Sequence, residues 1–344
     1  MPTPGTVSAP PLVTIALPMW KRLEYLPHVL KIIEAQDYPS IELIVSDNGE
    51  NGTKVHDLVM AHYSRPFCFR QNPHTVSVGR HFNQIIQAAS GEYFVLLCDD
   101  DEISANYISN LVQQLEEHPE ASLAFARQEI MNEDSLVVRK SKAFPTQILS
   151  GVDFIRGLWQ TFEFGFEAIG TFMARTANLI ACGCYPDFVR GSGIDNALVI
   201  KLCLDSNVAL NAECVWRWRV HETGYGWSVS AKGLATAHIE FMRFLDSDPV
   251  IRKLAAVRPA EWRELKTALV RNEWQTYFWR WRDIYKDRLS GFEWVRAAFE
   301  MPFILSYYRN VASVFRNEAK VQTKKLFGIQ DPATKEVGYF KRDA

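Results

Sequence analysis

After a polar, proline-rich opening over residues 1–11, the chain alternates short apolar runs with amphipathic ones. VTIAL (13–17) precedes LEYLPHVLKIIEAQ, whose apolar positions recur at helical spacing. IELIVS (41–46) is followed by the turn DNGENGT and a second helical stretch. A short FCFR (67–70) leads through a loop to RHFNQIIQAASG, which reads as a helix, and then to EYFVLLC (92–98). Apolar runs bounded by turn formers and followed by segments of period 3.6 predict a parallel sheet covered by helices. SLAFARQEIM (122–131) and SLVVRK (135–140) read as two further strands outside that alternation.

From about 150 to 230 the pattern becomes irregular, with aromatic and glycine-rich stretches such as WQTFEFGFEAIG, CGCYPDFVRGSG and HETGYGWS. Long aromatic loops on an α/β scaffold are common places for substrate contacts, and those between about 159 and 227 are candidates. Beyond 231 the periodicity is helical to near the end. Trp274, Tyr277, Phe278, Trp281 and Tyr285 recur at helical spacing, and 292–315 is a second amphipathic segment that Pro302 kinks or divides. The expected division is a disordered tail (1–11), an α/β domain (12–230) and a helical C-terminal region (231–344).

Composition narrows this picture in two ways. The formal charge of −2 over 344 residues gives no reason to expect a nucleic-acid partner. It conceals an asymmetry, since residues 262–344 hold 16 Lys and Arg against 10 Asp and Glu. Basic residues among aromatic ones suit either packing on the α/β domain or a second copy, or a peripheral contact with anionic headgroups. The six cysteines form no CxxC pair and mostly sit in apolar stretches, as expected of buried thiols in a reducing cytoplasm. No signal peptide and no membrane-spanning apolar run is evident, so the expected location is cytoplasmic, with a peripheral place at the inner face of the membrane left open.

The chemistry concentrates at the expected carboxyl ends of the strands, where ligands bind in parallel α/β sheets. Three polar clusters fall there: Pro18 to Arg22, Asp47-Asn48-Gly49, and Asp99-Asp100-Asp101. Three adjacent carboxylates behind an apolar run repel one another unless a cation or paired donors compensate. One reading is acids near a helix start, with Ser104 as cap; the other is a Mg²⁺ or Mn²⁺ site completed by a diphosphate. Asp47-Asn48-Gly49 reads equally as a turn or as a carboxylate and amide that meet a nucleobase.

LPMWKR, QDYPSIELIVSDNGENGT and NPHTVSVGRHFNQIIQAASGEYFVLLCDDDEI together resemble glycosyltransferase family 2, the GT-A fold, of the bacterial surface-polysaccharide type. The likeness is clear over about 12–105 and looser through RGSGIDNALVIKLCLDSN and WRWRVH. It implies a Rossmann-like, mainly parallel sheet flanked by helices, with 12–105 as the nucleotide-binding half and 106–230 as the acceptor half. It further implies nucleotide contacts at Pro18, Trp20, Arg22, Asp47, Asn48 and Arg80, with Asp99 and Asp100 at the ribose and diphosphate. Metal contacts fall to Asp99, Asp100 and Asp101. Aligned on Tyr107, the sequence has Cys98 where many members carry the first acid, which favours Asp100 as the ligand and leaves its two neighbours open.

By the same resemblance, Asp195 is the catalytic base, although Ile194 stands where the family usually has a Glu. His221 corresponds to a late histidine that in some members completes the metal or diphosphate contacts. The implied activity is inverting, metal-dependent transfer of a hexosyl-type sugar from a UDP, GDP or TDP sugar to a saccharide or lipid-linked saccharide. Two rivals remain: a phosphohydrolase of the haloacid-dehalogenase type using Asp99 and Asp101, and a non-catalytic protein that binds sugar nucleotides or glycans.

Overall fold

The computed structural model describes residues 9–166, 169–221 and 231–285. Most of the 1–11 tail, the 292–315 segment with Pro302 and the loop aromatics Tyr225 and Trp227 lie outside them, as do the side chains of Trp274 to Tyr285. The first half follows the expected alternation: β1 (Val13–Met19), α1 (Leu26–Glu34), β2 (Ile41–Asp47), α2 (Lys54–His62), β3 (Phe67–Gln71), α3 (Val78–Ala88) and β4 (Tyr93–Leu96). Next come β5 (Glu102–Ile103), α4 (Tyr107–Glu117), β6 (Ala121–Met131), β7 (Val137–Lys140), β8 (Gln147–Ser150), α5 (Gly151–Trp159), β9 (Met173–Arg175) and α6 (Thr176–Ala181). The described part ends with α7 (Ile194–Cys203), β10 (Asn207–Arg219), α8 (Ala231–Ser247), α9 (Pro249–Val257) and α10 (Pro259–Tyr285).

These strands form one ten-stranded sheet in the order β3-β2-β1-β4-β9-β6-β10-β5, with β7 beside β6 and β8 beside β10. The strands β1, β2, β3, β4, β6 and β10 run one way, and the short β5, β7, β8 and β9 run against them. The two strands expected outside the alternation are an antiparallel hairpin, Glu129 opposite Lys140. The strand β9 was not anticipated. Only three residues long, it carries no period of its own and exists because it bridges β4 and β6.

Pleating divides each strand between two apolar layers. In β1 every residue is buried, with Val13, Ile15 and Leu17 facing α1, α2 and α4, and Ala16 facing the other side. On the first face α1 presents Leu26, Val29, Leu30 and Ile33, the helical stripe read from sequence. On the second face α5 and α7 join Phe241 and Leu245 of α8, Ile251 and Leu254 of α9, and Trp262, Leu265 and Leu269 of α10. The first part of the helical region therefore shares the core of the sheet.

The loop aromatics mostly have a different role from the one expected. Trp159, Phe164 and Phe172 are buried, and Phe164 stacks on Phe154 with ring centroids 5.5 Å apart. Rings this large stabilise most by removing their area from water, and in the described loops that outweighs presenting them to a sugar. Phe162 is an exception at 47% exposure.

One buried group makes stability depend on pH. His81, on α3, has Nε2 2.9 Å from Ser46 Oγ under the end of β2, and burial pushes its pKa from 6.5 down to about 4. The unfolded chain therefore binds this proton more readily. Stability is fully present above about 6.5 and is lost as pH falls toward 4, by about 3 kcal/mol from this group. Urea unfolding midpoints measured from pH 7 to pH 4.5 should fall, and should fall less in His81→Gln; equal slopes would dismiss His81 as the cause.

Candidate active site at the carboxyl edge of the sheet

The three clusters converge because the strands that end in them are neighbours. Met19 pairs with Asp47 in register, Asn48 N–H donates to Met19 O at 2.9 Å, and Leu97 N–H donates to Ala16 O at 2.9 Å. Glycine at 49 is required by this approach, since a Cβ there would lie 2.7 Å from Lys21 N and 2.8 Å from Trp20 C. Pro18 lies within β1 opposite Ser46, and Trp20 follows it, 36% exposed with Lys21 Nζ 4.9 Å from its ring.

Asp47 and Asn48 are both brought to this edge, but their polar atoms are turned into the loops. Asp47 is fully buried and accepts from Gly49 N–H at 2.8 Å, Asn51 N–H at 3.2 Å, Asn51 Nδ2 at 2.8 Å and Gln71 Nε2 at 3.0 Å. Asn48 donates to Val76 O and accepts from Val76 N–H and Asn72 Nδ2, each at 2.9 Å. Both side chains thus fix the floor on which a base could rest. Arg80, in the first turn of α3, is exposed.

The aspartate triplet occupies the turn after β4, closed by Asp101 N–H donating to Cys98 O at 3.2 Å. The helix-start reading does not account for it: α4 begins at Tyr107, has Asn106 as its cap without a side-chain bond, and carries no acid in its first turn. Each aspartate has a different environment. Asp100 Oδ2 accepts from Arg22 Nη2 at 2.5 Å and lies 2.9 Å from His221 Nε2, which is itself 2.8 Å from Arg22 Nη1. Burial works against the charge of Asp100, but the His221 hydrogen bond and the Arg22 charge together hold its pKa below the ordinary value. Asp99 has a longer contact with Arg22, 3.4 Å, and burial and the Asp100 charge raise it to about 7.

Asp101 faces inward. It is 3% exposed and accepts from Trp216 Nε1 and from Arg219 N–H, both at 3.1 Å. Burial and then the Asp100 charge push its pKa well up.

Arg219 is a residue that sequence reasoning missed. Its guanidinium donates to Asp100 O at 2.8 Å, Asn132 O at 3.0 Å, Glu133 O at 2.9 Å, and Glu102 Oε1 and Ser135 Oγ at 2.9 Å each. It therefore ties β10 to the aspartate turn and to the β6–β7 hairpin. Alternation in WRWR (216–219) could have pointed to it, because Trp216 and Trp218 mark a half-buried strand.

Asp195 lies in the first turn of α7, after a loop whose handedness is unusual. Arg190, Gly191 and Gly193 have φ of 58°, 64° and 82°. The Gly193 conformation is left-handed, which a residue with a Cβ rarely adopts. Burial raises the Asp195 pKa from 3.8 to about 7. Its charge, with those of Asp101, Asp100 and Asp99, acts on the thiol of Cys98, which burial and these carboxylates push well up. Asn83 closes the same wall, accepting from Tyr185 N–H at 2.9 Å and donating to Tyr185 O at 2.8 Å.

The arrangement can therefore do three things. Asp100 and Asp101, grouped with Cys98 so that one ligand atom from each lies within 4.8 Å of the others, offer oxygens of the kind hard divalent cations use, while Arg22 is the cation seated on Asp100. Asp195 offers a carboxylate whose pKa is near neutrality. The exposed ring of Trp20 offers a flat apolar face. No described helix is long and apolar enough to cross a membrane.

Residues 14–184 match the family described as Glycosyl transferase family 2. The glycosyltransferase GlyG of Streptococcus pneumoniae is 29% identical over 108 residues, 31% of this chain and 36% of that protein. The GalNAc(5)-diNAcBac-PP-undecaprenol beta-1,3-glucosyltransferase of Campylobacter jejuni is 33% identical over 110 residues, 31% of this chain and 35% of that protein. The match thus spans little more than a third of either relative. Two solved structures share the fold at low identity. S. aureus TarS 1-349 in complex with UDP-GlcNAc superimposes with a TM-score of 0.57 at 15% identity, covering 80% of each chain. The mannosyltransferase PcManGT of Pyrobaculum calidifontis, with GDP-Man and Mn²⁺, gives 0.51 at 16% identity over 94% of this chain and 89% of the other. Over residues 14–184 the chain belongs to glycosyl transferase family 2, built on a mixed α/β sheet of the GT-A kind.

Proposed function

We propose that this protein is an inverting, metal-dependent glycosyltransferase that moves a hexosyl-type sugar from a nucleotide sugar to an acceptor hydroxyl. The observation that carries the reading is the placement of Asp195 in the first turn of α7, near enough to the acid cluster for its charge to reach Cys98, where burial raises its pKa to about 7. A base with that pKa is half deprotonated near neutrality and still strong enough to take a proton from an attacking hydroxyl. Asp195 Oδ accepts that proton as the hydroxyl oxygen attacks the anomeric carbon from the face opposite the leaving group. The transition state has oxocarbenium character, as in other glycosyl transfers.

The other residues act on the donor. Trp20 stacks on the base above the floor fixed by Asp47 and Asn48, and Arg80 approaches the base or diphosphate. Asp99 and Asp100 orient the ribose and diphosphate, and Arg22 offers positive charge where the leaving diphosphate gains negative charge. A Mn²⁺ or Mg²⁺ ion would be held by Asp100, with Asp99, Asp101 and His221 around it. When bound, it supplies Lewis-acid stabilisation of the departing diphosphate. The phosphohydrolase reading loses support because Asp101, the acid it needs, has its oxygens engaged by Trp216 and Arg219.

Residues 12–105 then form the donor half and 106–230 the acceptor half. A saccharide or lipid-linked saccharide as acceptor is supported by the undecaprenol-linked glycan in the name of the Campylobacter relative. A thermal-shift panel of UDP, GDP and TDP sugars, with and without Mn²⁺, tests the donor. One nucleotide should raise the unfolding temperature only with the ion present, by an amount equivalent to about 2.7 kcal/mol at a hundredfold excess over Kd. Indifference to every nucleotide sugar would sink the reading.

A further inference from the structure

Beside the proposed cation site stands one residue with no role so far. Cys98 is a free thiol at the start of the aspartate turn, and no described residue hydrogen-bonds its sulfur. One side of it packs against the core that contains Phe94 and Leu96, and the other faces acids. One ligand atom each from Cys98, Asp100 and Asp101 lie within 4.8 Å of one another, a grouping small enough for a single ion. The carboxylates of Asp99 and Asp195 are also near enough for their charges to reach the sulfur. A cysteine kept only for packing would be expected among apolar side chains on all sides. This one closes a ring of carboxylates instead.

We propose that Cys98 Sγ is a ligand of the divalent cation together with Asp100 and Asp101, so that the site is mixed sulfur and oxygen. The inference rests on the metal-dependent reading and deepens it. On coordination the S–H bond breaks, the sulfur donates the freed pair to the ion, and the proton leaves to solvent. No electron changes hands. Asp101 can take part while keeping its bonds to Trp216 and Arg219, because each carboxylate oxygen has a second lone pair. The consequence is selectivity. Sulfur favours ions such as Co²⁺, Zn²⁺ and Cd²⁺ and tolerates Mn²⁺, whereas Mg²⁺ demands oxygen ligands, so this site discriminates against Mg²⁺.

The test is cobalt titration of the full-length, metal-free protein, following the near-ultraviolet thiolate-to-cobalt charge-transfer band. The band is expected in the parent, in Cys68→Ser and in Cys182→Ser, and is expected to vanish in Cys98→Ser. Calorimetry with Cd²⁺ and Mg²⁺ adds a second readout that needs no loss of ligand. In Cys98→Asp the ratio of Mg²⁺ to Cd²⁺ dissociation constants should fall by about 10-fold or more. Circular dichroism reports whether each variant is folded. A band that survives Cys98→Ser, or is missing from the parent at saturating cobalt, overturns the proposal, as does an unchanged ratio in Cys98→Asp. Failure of the wider reading looks different: Mn²⁺-dependent donor stabilisation without the band removes only Cys98, whereas no binding of any divalent ion removes the cation site itself.

Discussion

Asp195→Asn should lower sugar transfer by a factor of about 10²–10⁴ while leaving nucleotide-sugar binding within twofold or so. Asparagine keeps the shape and a hydrogen-bonding oxygen at the start of α7 but cannot accept the proton. The loss should therefore fall on kcat rather than on the donor KM. The parent enzyme should also show a pH limb of fixed sign. Burial raises the Asp195 pKa to about 7, and the base works only when deprotonated, so the rate climbs as pH rises toward 7 and levels above it. The residual activity of Asp195→Asn should lack that limb. Unchanged transfer would remove Asp195 as the base; lost donor binding would instead make it part of the donor site.

Asp100→Asn carries the second large effect. Its carboxylate meets Arg22 at 2.5 Å and His221 at 2.9 Å, and its pKa is held down by them, so it is the triplet member charged under all ordinary conditions. Neutralising it removes a cation ligand and leaves Arg22 with two weaker carboxylate contacts, Asp99 at 3.4 Å and Glu24 at 4.0 Å. We expect kcat/KM to fall by about 10²-fold or more, on the scale of losing one electrostatic contact to a developing charge. Mn²⁺-dependent stabilisation by the donor should disappear with it. Asp101→Asn is the useful contrast. Placing an amide against Trp216 Nε1 and Arg219 N–H leaves a buried donor unmatched, and about 1–3 kcal/mol of folding stability should be lost. Both variants should weaken cation binding, but only Asp101→Asn should also lose stability; full metal binding in Asp100→Asn would remove Asp100 as a ligand.

The strand ends were legible because VTIAL, IELIVS and EYFVLLC are continuous apolar runs, as expected of strands buried on both faces. Convergence of their polar ends followed from the parallel pairing that such runs imply. The short antiparallel β9 and the role of Arg219 were not legible, since both depend on partners far away in the chain: Val95 and Ala124 for the one, Asp100 O and Asn132 O for the other. The loop aromatics misled for a related reason. Composition identifies Phe164 as a large apolar ring, but only packing decides whether Phe154 or a sugar lies against it.

For the triplet, the order of residues alone required three carboxylates at the end of a buried strand and an answer to their repulsion. It also determined that Asp47 and the loop after β1 would share their edge of the sheet. It could not rank Asp99, Asp100 and Asp101, because adjacent identical side chains have the same local chemistry. Tertiary structure separated them by burial and by partners supplied from β10, the segment after it and the loop after β1: Trp216 and Arg219 for Asp101, His221 and Arg22 for Asp100. Electrostatic free energy depends on distance and desolvation in space, and separation along the chain fixes neither.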